Sequence, residues 1–405
     1  MKPPVARLTN LPPNFFASLD SRIASLQAEG RDIIRLDIGS PDMPPAPHIV
    51  EALMRSATAS SSHGYQDQRG LPALRAAWVE MYRRVHQVEL DSETEVIPLL
   101  GAKEGIVNLS QATVQAGDIV LAPDPGYMIY PRGASLAGGE VQPLPLLAER
   151  EYFPDLTSIP EKILRKTKLV WLNYPNNPTA STGNRQFFAK AVELAQAFDF
   201  LLCHDAVYSQ IVFDGEKPLS LLEIPGAKRV AVEFNSLSKS HNMAGWRSGV
   251  MVGNAQAVSR LHKIKTNVDS GQFLPIQVAS TVALTSDQSW LGDRNQLYRQ
   301  RRDAVVSGLH RLGLNAKSPR ASIYVWSPIP AGWNSMDFAM EAMDNAGVSV
   351  TPGTVFGLRG EGYVRIALTA TLERIQIAMD RLRDWMDNSD EKSSSFPRKG
   401  KEEDR

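Results

Sequence analysis

Residues 229–253 read RVAVEFNSLSKSHNMAGWRSGVMVG: two apolar runs, RVAVEF (229–234) and GVMVG (249–253), on either side of a polar loop. Both runs are nearly unbroken in apolar character, the pattern of strands covered on both faces. Upstream, DIVLAP (118–123), KLVWLN (168–173) and FLLCHD (200–205) share it. Between them lie helical patterns such as NRQFFAKAVELAQAF (184–198), with apolar residues three and four apart. Strands alternating with helices imply an α/β layered fold around a mostly parallel sheet.

Past about residue 285 the pattern changes. A long amphipathic helix (about 288–312) leads to the strand ASIYVW (321–326), a helix at 335–346, the strand YVRIALT (363–369) and a last helix at about 371–387. This reads as a second, smaller α+β domain. With 405 residues and about 150 per domain, two or three lobes are expected. The expected division is an N-terminal arm and part of the small domain (1–45), a large domain (46–285), the small domain (286–387) and a disordered tail (388–405). The proline-rich first fourteen residues read as an arm lying on another surface.

Lysine plus arginine and aspartate plus glutamate both total 44, so there is no basic excess to favour nucleic acid or an anionic membrane as main partner. The single cysteine, Cys203, allows no intrachain disulfide and suits a reducing compartment. The start lacks the apolar run of a signal peptide, and no stretch reaches the ~20 apolar residues of a membrane span. A cytoplasmic enzyme is the expectation; metal-cluster proteins and disulfide scaffolds are disfavoured.

Ligands of open α/β sheets sit beyond the carboxyl ends of the strands. Polar clusters follow four of the runs: PDPGY (123–127), YPNNPT (174–179), HDAVY (204–208) and the loop from Asn235. In that loop Ser236, Ser238 and Arg247 are donors of the kind that hold a phosphate dianion, although a solvated turn is the competing reading. Lys239 beside a phosphate site suggests a cofactor with both a phosphate and a carbonyl, which pyridoxal phosphate has. Asp205 closes a strand; a buried carboxylate there suits a pyridinium, or else a core or capping role. Tyr208 and Asn177 are placed to bond the ring oxygen, and Tyr127 to stack on the ring or to cover apolar surface. Gly101, Ala102 and Lys103 precede a helical run whose first N–H groups favour a phosphate. Arg365, flanked by apolar residues, needs an anion: a substrate carboxylate or a structural salt-bridge partner.

With these residues the chain resembles the class I/II aminotransferases of the pyridoxal-phosphate fold-type I superfamily. Its landmarks run in order: DIGSPD (37–42), YQDQRGLPALR (65–75), GAKEG (101–105), PDPGY, NYPNNPT (173–179), DAVY (205–208), SLSKSHNMAGWR (236–247) and YVRIALT. The resemblance spans about residues 10–387 and is strongest to LL-diaminopimelate aminotransferase-like members and their alanine- or aspartate-using relatives. It implies a seven-stranded, mostly parallel sheet and a homodimer with shared active sites. It makes Lys239 the Schiff-base lysine and base, and Asp205 the partner of the ring nitrogen, with Tyr208 and Asn177 at the ring oxygen and Tyr127 stacked on the ring. Ser236, Ser238, Arg247 and the Gly101–Lys103 turn hold the phosphate, and Tyr65 reaches the phosphate of the other subunit. Gly39, Asn177 and Arg365 hold the substrate carboxylate. The implied reaction moves an amino group between an L-amino acid and a 2-oxo acid by ping-pong kinetics, with a lyase as the rival. Ala180, His241, Met128 and Ser40 depart from the usual pattern, where glycine, tyrosine, proline and aspartate are common.

Overall fold

The structure, a computed structural model, describes residues 15–217 and 219–393, with side chains as far as 388. The expected arm (1–14) and the end of the expected tail (394–405) lie outside the described residues. Twelve strands are named here in chain order: β1 (Ile34–Arg35), β2 (Val96–Leu99), β3 (Ile119–Asp124), β4 (Glu140–Pro145), β5 (Thr167–Asn173), β6 (Leu201–Asp205), β7 (Ala231–Ser236), β8 (Gly249–Gly253), β9 (Tyr324–Pro328), β10 (Val348–Ser349), β11 (Thr351–Pro352) and β12 (Tyr363–Ala367).

Seven of them form one sheet in the order β2-β8-β7-β6-β5-β3-β4. All pairings are parallel except those of β8 with its two neighbours. The two-residue period of a strand sorts its side chains onto opposite faces. Along β5, Val170 and Leu172 join a core with Trp78 and Phe188, while Leu169 and Trp171 join another with Ile106 and Phe234. Helices therefore cover both faces, which is why these strands read as continuous apolar runs.

Two strands of this sheet are absent from the sequence reading. β2 is only four residues and contains Pro98. β4 is an edge strand, mostly exposed and carrying Pro143 and Pro145, and proline is tolerated where no ladder donor is required.

The remaining strands form a three-stranded antiparallel sheet, β11-β12-β9, and a short parallel pair, β1-β10. Ile34 and Leu36 enter the same core as Tyr298, Phe338 and Ile366. The helix Phe15–Ala28 packs Leu19, Ile23 and Leu26 on Met343. Residues from both ends of the chain thus share one core. The expected strand at 321 starts later, at Tyr324, because Ala321 instead bridges Val212 and Ser322 adopts φ 78°. The last helix runs Leu372–Ser393, past Asn388 where the tail was expected to begin. Extending an existing helix costs far less than nucleating one, so charged residues can continue it. No helix among the described residues is long and apolar enough to cross a membrane.

Candidate active site

The carboxyl ends of β3, β5, β6 and β7 lie side by side, because these strands are parallel neighbours in the sheet. A cavity of about 470 Å³ opens there, and β12 and the segment after β1 close it from the other side. Lys239 sits in the short helical turn after β7, partly buried, its Nζ donating to the Gly39 carbonyl. Burial, then the cations Arg365 and Arg247, lower its ammonium from 10.5 to about 8, against the opposing pull of Asp205. At pH 7 the neutral, proton-accepting amine is thereby about 300-fold more abundant than for an unperturbed lysine.

Asp205 ends β6 with its carboxyl buried in the cavity wall. The Tyr130 hydroxyl donates to Oδ2 at 2.8 Å and the Val207 N–H to Oδ1 at 3.4 Å. Burial raises its carboxyl above the usual range, with Tyr130, Val207, His204 and Lys239 acting in the other direction. No cation among the described residues pairs with it. Tyr130 stacks on Trp171 (5.0 Å, 14°) and meets Tyr127 edge-on (5.8 Å). Burial, then the Asp205 charge, push the Tyr127 hydroxyl up to about 12. Asn173, in register with Asp205 across β5–β6, donates to the Asp205 carbonyl at 2.7 Å and accepts from the Asn177 N–H at 2.7 Å. The Tyr208 hydroxyl shares a hydrogen bond with that of Tyr324 (3.0 Å).

On the opposite wall begins the helix Ala102–Thr113, whose N-cap, Gly101, offers no side-chain cap. The first N–H groups of a helix need outside acceptors, and the dipole there favours an anion. Gly101 adopts φ 81°, and a side chain there would collide with the Arg247 guanidinium. Arg247 Nη1 donates to the Ala244 carbonyl at 2.8 Å and lies 3.4 Å from Ser238 Oγ. Ser236 Oγ donates to the Ser248 carbonyl (2.9 Å) and lies 3.0 Å from Ser238 Oγ. Uncapped N–H groups, a guanidinium and hydroxyls thus converge on one end of the cavity.

Arg365 is 3% exposed. It donates through Nη1 to Asn177 Oδ1 (2.9 Å) and through Nη2 to the Asp37 carbonyl (2.7 Å) and Thr351 Oγ1 (3.3 Å); its Nε has no partner. Its charge lies 4.2 Å and 4.7 Å from the ring centroids of Tyr324 and Phe356. No carboxylate among the described residues pairs with it, so the structural salt bridge weighed as its alternative role is not present there. A buried guanidinium with only neutral partners is an anion site.

Most of the residues expected at the site line this one cavity: Gly39, Ala102, Lys103, Tyr127, Asn177, Asp205, Tyr208, Ser236, Ser238, Lys239, Arg247 and Arg365. Gly101 abuts it through Arg247. Tyr65 does not join them; it stands 95% exposed. Tyr130, Asn173, Tyr324, Arg35 and Asp37 line the cavity without having been singled out. Tyr130 lies in the first turn of the helix Ile129–Leu136, just after Tyr127. Asn173 closes its strand just as Asp205 closes the next.

These residues fit pyridoxal phosphate. A buried carboxylate with no cation bonded to it suits a pyridinium, a depressed lysine suits an aldehyde, and the uncapped helix start with Arg247 suits a phosphate. The family model for aminotransferase class I and II matches residues 31–382. The chain is 46% identical over 377 residues to LL-diaminopimelate aminotransferase of Desulforudis audaxviator, covering 93% of this chain and 96% of that protein. It is 45% identical to the enzyme of the same name from Moorella thermoacetica, covering 93% and 97%. Among solved structures, substrate-bound BacF from Bacillus subtilis superposes with a TM-score of 0.92 at 35% identity, covering 95% of this chain and 98% of that one.

Proposed function

The chain belongs to the class I and II aminotransferases, enzymes that work with pyridoxal phosphate, and on that premise we propose that it moves the amino group of LL-diaminopimelate to 2-oxoglutarate. When bound, pyridoxal phosphate supplies an aldehyde for the amino group and an electron-accepting ring.

In this reading Lys239 anchors the cofactor and, once freed, takes the proton from the donor Cα through Nζ. Asp205 would hold the ring nitrogen protonated, Tyr208 and Asn177 would bond the ring oxygen, and Tyr127 would cover the ring. Ser236, Ser238, Arg247 and the Gly101–Lys103 turn hold the phosphate. Arg365, Asn177 and Gly39 take the α-carboxylate, which aims the Cα–H bond at Lys239.

The observation that carries the choice of substrate is the similarity to LL-diaminopimelate aminotransferases, 46% and 45% identical over 93% of this chain. In the cavity, Arg365 binds the carbonyl of Asp37, and Arg35 is ion-paired with the Asp37 carboxylate (2.6 Å) and with Asp20 (2.7 Å). Arg365 suits the α-carboxylate of the donor, and the Asp20 carboxylate suits the distal ammonium of LL-diaminopimelate.

Tyr65, Val268 and Phe273 are exposed apolar side chains on neighbouring segments, joined by the His63–Phe273 ring contact (5.9 Å) and the Gln68–Asp269 hydrogen bond (3.4 Å). They support a homodimer in which Tyr65 completes the partner's phosphate site. With balanced charge and one buried cysteine, the cytoplasm is the compartment that fits.

The test is single-turnover mixing with LL-diaminopimelate, alanine, glutamate, aspartate, methionine and aromatic amino acids. LL-diaminopimelate is expected to give the highest rate constant per unit concentration, and 2-oxoglutarate to restore the starting form. A tenfold preference for another donor, or conversion of many equivalents of donor per site without an acceptor, refutes the proposal.

A further inference from the structure

Behind Asp205, on the face of β6 turned away from the cavity, is a fully buried ion pair. His204 Nδ1 lies 2.8 Å from Glu233 Oε2, and Nε2 lies 2.9 Å from the Tyr174 carbonyl oxygen. The carbonyl can only accept, so Nε2 carries a proton. Glu233 also receives the Tyr82 hydroxyl (2.9 Å), the Ser220 hydroxyl (2.8 Å) and the Leu221 N–H (2.9 Å). A carboxylate surrounded by donors is held in its ionised form. Burial alone would raise Glu233, but His204, then His86 and the Ser220 hydrogen bond, bring it below its usual value. With Glu233 ionised, Nδ1 must donate as well, and the ring is an imidazolium.

Burying two charges is expensive, and beyond satisfying the Tyr82, Ser220 and Leu221 donors the position of the pair suggests a use. His204 immediately precedes Asp205. Its other contact, Tyr174, lies between Asn173, which bonds the Asp205 carbonyl, and Asn177, which bonds Arg365.

We propose that His204 is a positioning residue for amino transfer: an imidazolium held by Glu233, it sets a fixed positive charge behind Asp205 and pins the loop that carries Asn177. The charge favours the ionised carboxylate that the cofactor ring requires. The pinned loop keeps Asn177 and Arg365 in register. The inference rests on Asp205 being the ring-nitrogen partner; that reading fails separately if Asp205→Asn leaves kcat unchanged.

Two measurements test it. The first is nitrogen NMR of the holoenzyme labelled with 15N-histidine, the His204 signals being identified by their loss in His204→Gln. Both ring nitrogens are expected to be protonated from pH 6 to pH 9, whereas a bare Nδ1, meaning a neutral pair, overturns the proposal. The second is the double variant His204→Gln/Glu233→Gln, which keeps neutral hydrogen-bonding partners in place of the ion pair and guards against misfolding of the single variant. Its expected signature is a kcat lower by about tenfold, equivalent to one pKa unit at Asp205, with the donor KM changed much less and cofactor release faster. A double variant with wild-type kcat and cofactor retention overturns the proposal.

Discussion

Replacing Arg365 with lysine keeps a cation in the cavity but removes the planar fork. In the structure that fork donates from Nη1 and Nη2 to Asn177, Asp37 and Thr351 and leaves Nε unpartnered. A lysine has three donors on a single atom and cannot hold a carboxylate in two parallel bonds. A hydrogen bond to a charged group contributes about 1.5–3 kcal/mol. Loss of one such bond in the transition state corresponds to about a 10- to 150-fold fall in kcat/KM. Because every α-amino acid shares the carboxylate, the fall should be similar for LL-diaminopimelate, glutamate and alanine. A simple primary amine without a carboxylate, reacted as a slow donor, should lose much less. The assay is the half-reaction followed through the cofactor's absorbance over a range of donor concentrations. Unchanged kcat/KM for amino acids, or an equal loss for the carboxylate-free amine, would refute the assignment of Arg365 to the α-carboxylate.

Three further outcomes are expected. In the apoprotein the depressed Lys239 binds fewer protons folded than unfolded between about pH 8 and its ordinary 10.5. Stability relative to a Lys239→Met variant should therefore rise with pH across that window, and chemical denaturation at several pH values checks the sign. Asp205→Asn should make the apoprotein more stable at neutral pH by about 1–3 kcal/mol, because a buried carboxylate with no cation bonded to it is removed, while kcat of the loaded enzyme falls about a hundredfold; thermal unfolding and steady-state assays read the two opposite effects. Ala180 is 4% exposed and adopts φ 59°, so Ala180→Gly should stabilise the fold by about 1 kcal/mol through relief of left-handed strain, seen as a higher Tm.

The parts of the architecture legible in the sequence were those written in short-range signals. β3, β5, β6 and β7 are runs of branched or apolar residues, and each ends in a polar cluster that the parallel topology then aligns. The helix Ser335–Ala346 matches its sequence pattern at both ends. β4 was missed because an edge strand does not need an apolar run, and β2 because four residues with a proline carry no period. At the site, side chains with a distinctive chemical type stood out, such as Lys239, Asp205 and Arg365. Those whose role comes from a partner far along the chain did not. Tyr130 matters through Asp205, 75 residues away. His204 and Glu233 face each other across β6–β7, a pairing set by strand register. Tyr65 stands apart from the cavity.

The central claim is that Lys239 Nζ forms the covalent link to pyridoxal phosphate. Treating the holoenzyme with borohydride, digesting it and mapping the peptides by mass tests this most directly. The reduced phosphopyridoxyl group is expected on Lys239 within the peptide spanning SLSKSHNMAGWR. Finding it on Lys103 or another lysine, or finding no adduct in protein saturated with the cofactor, would contradict the account.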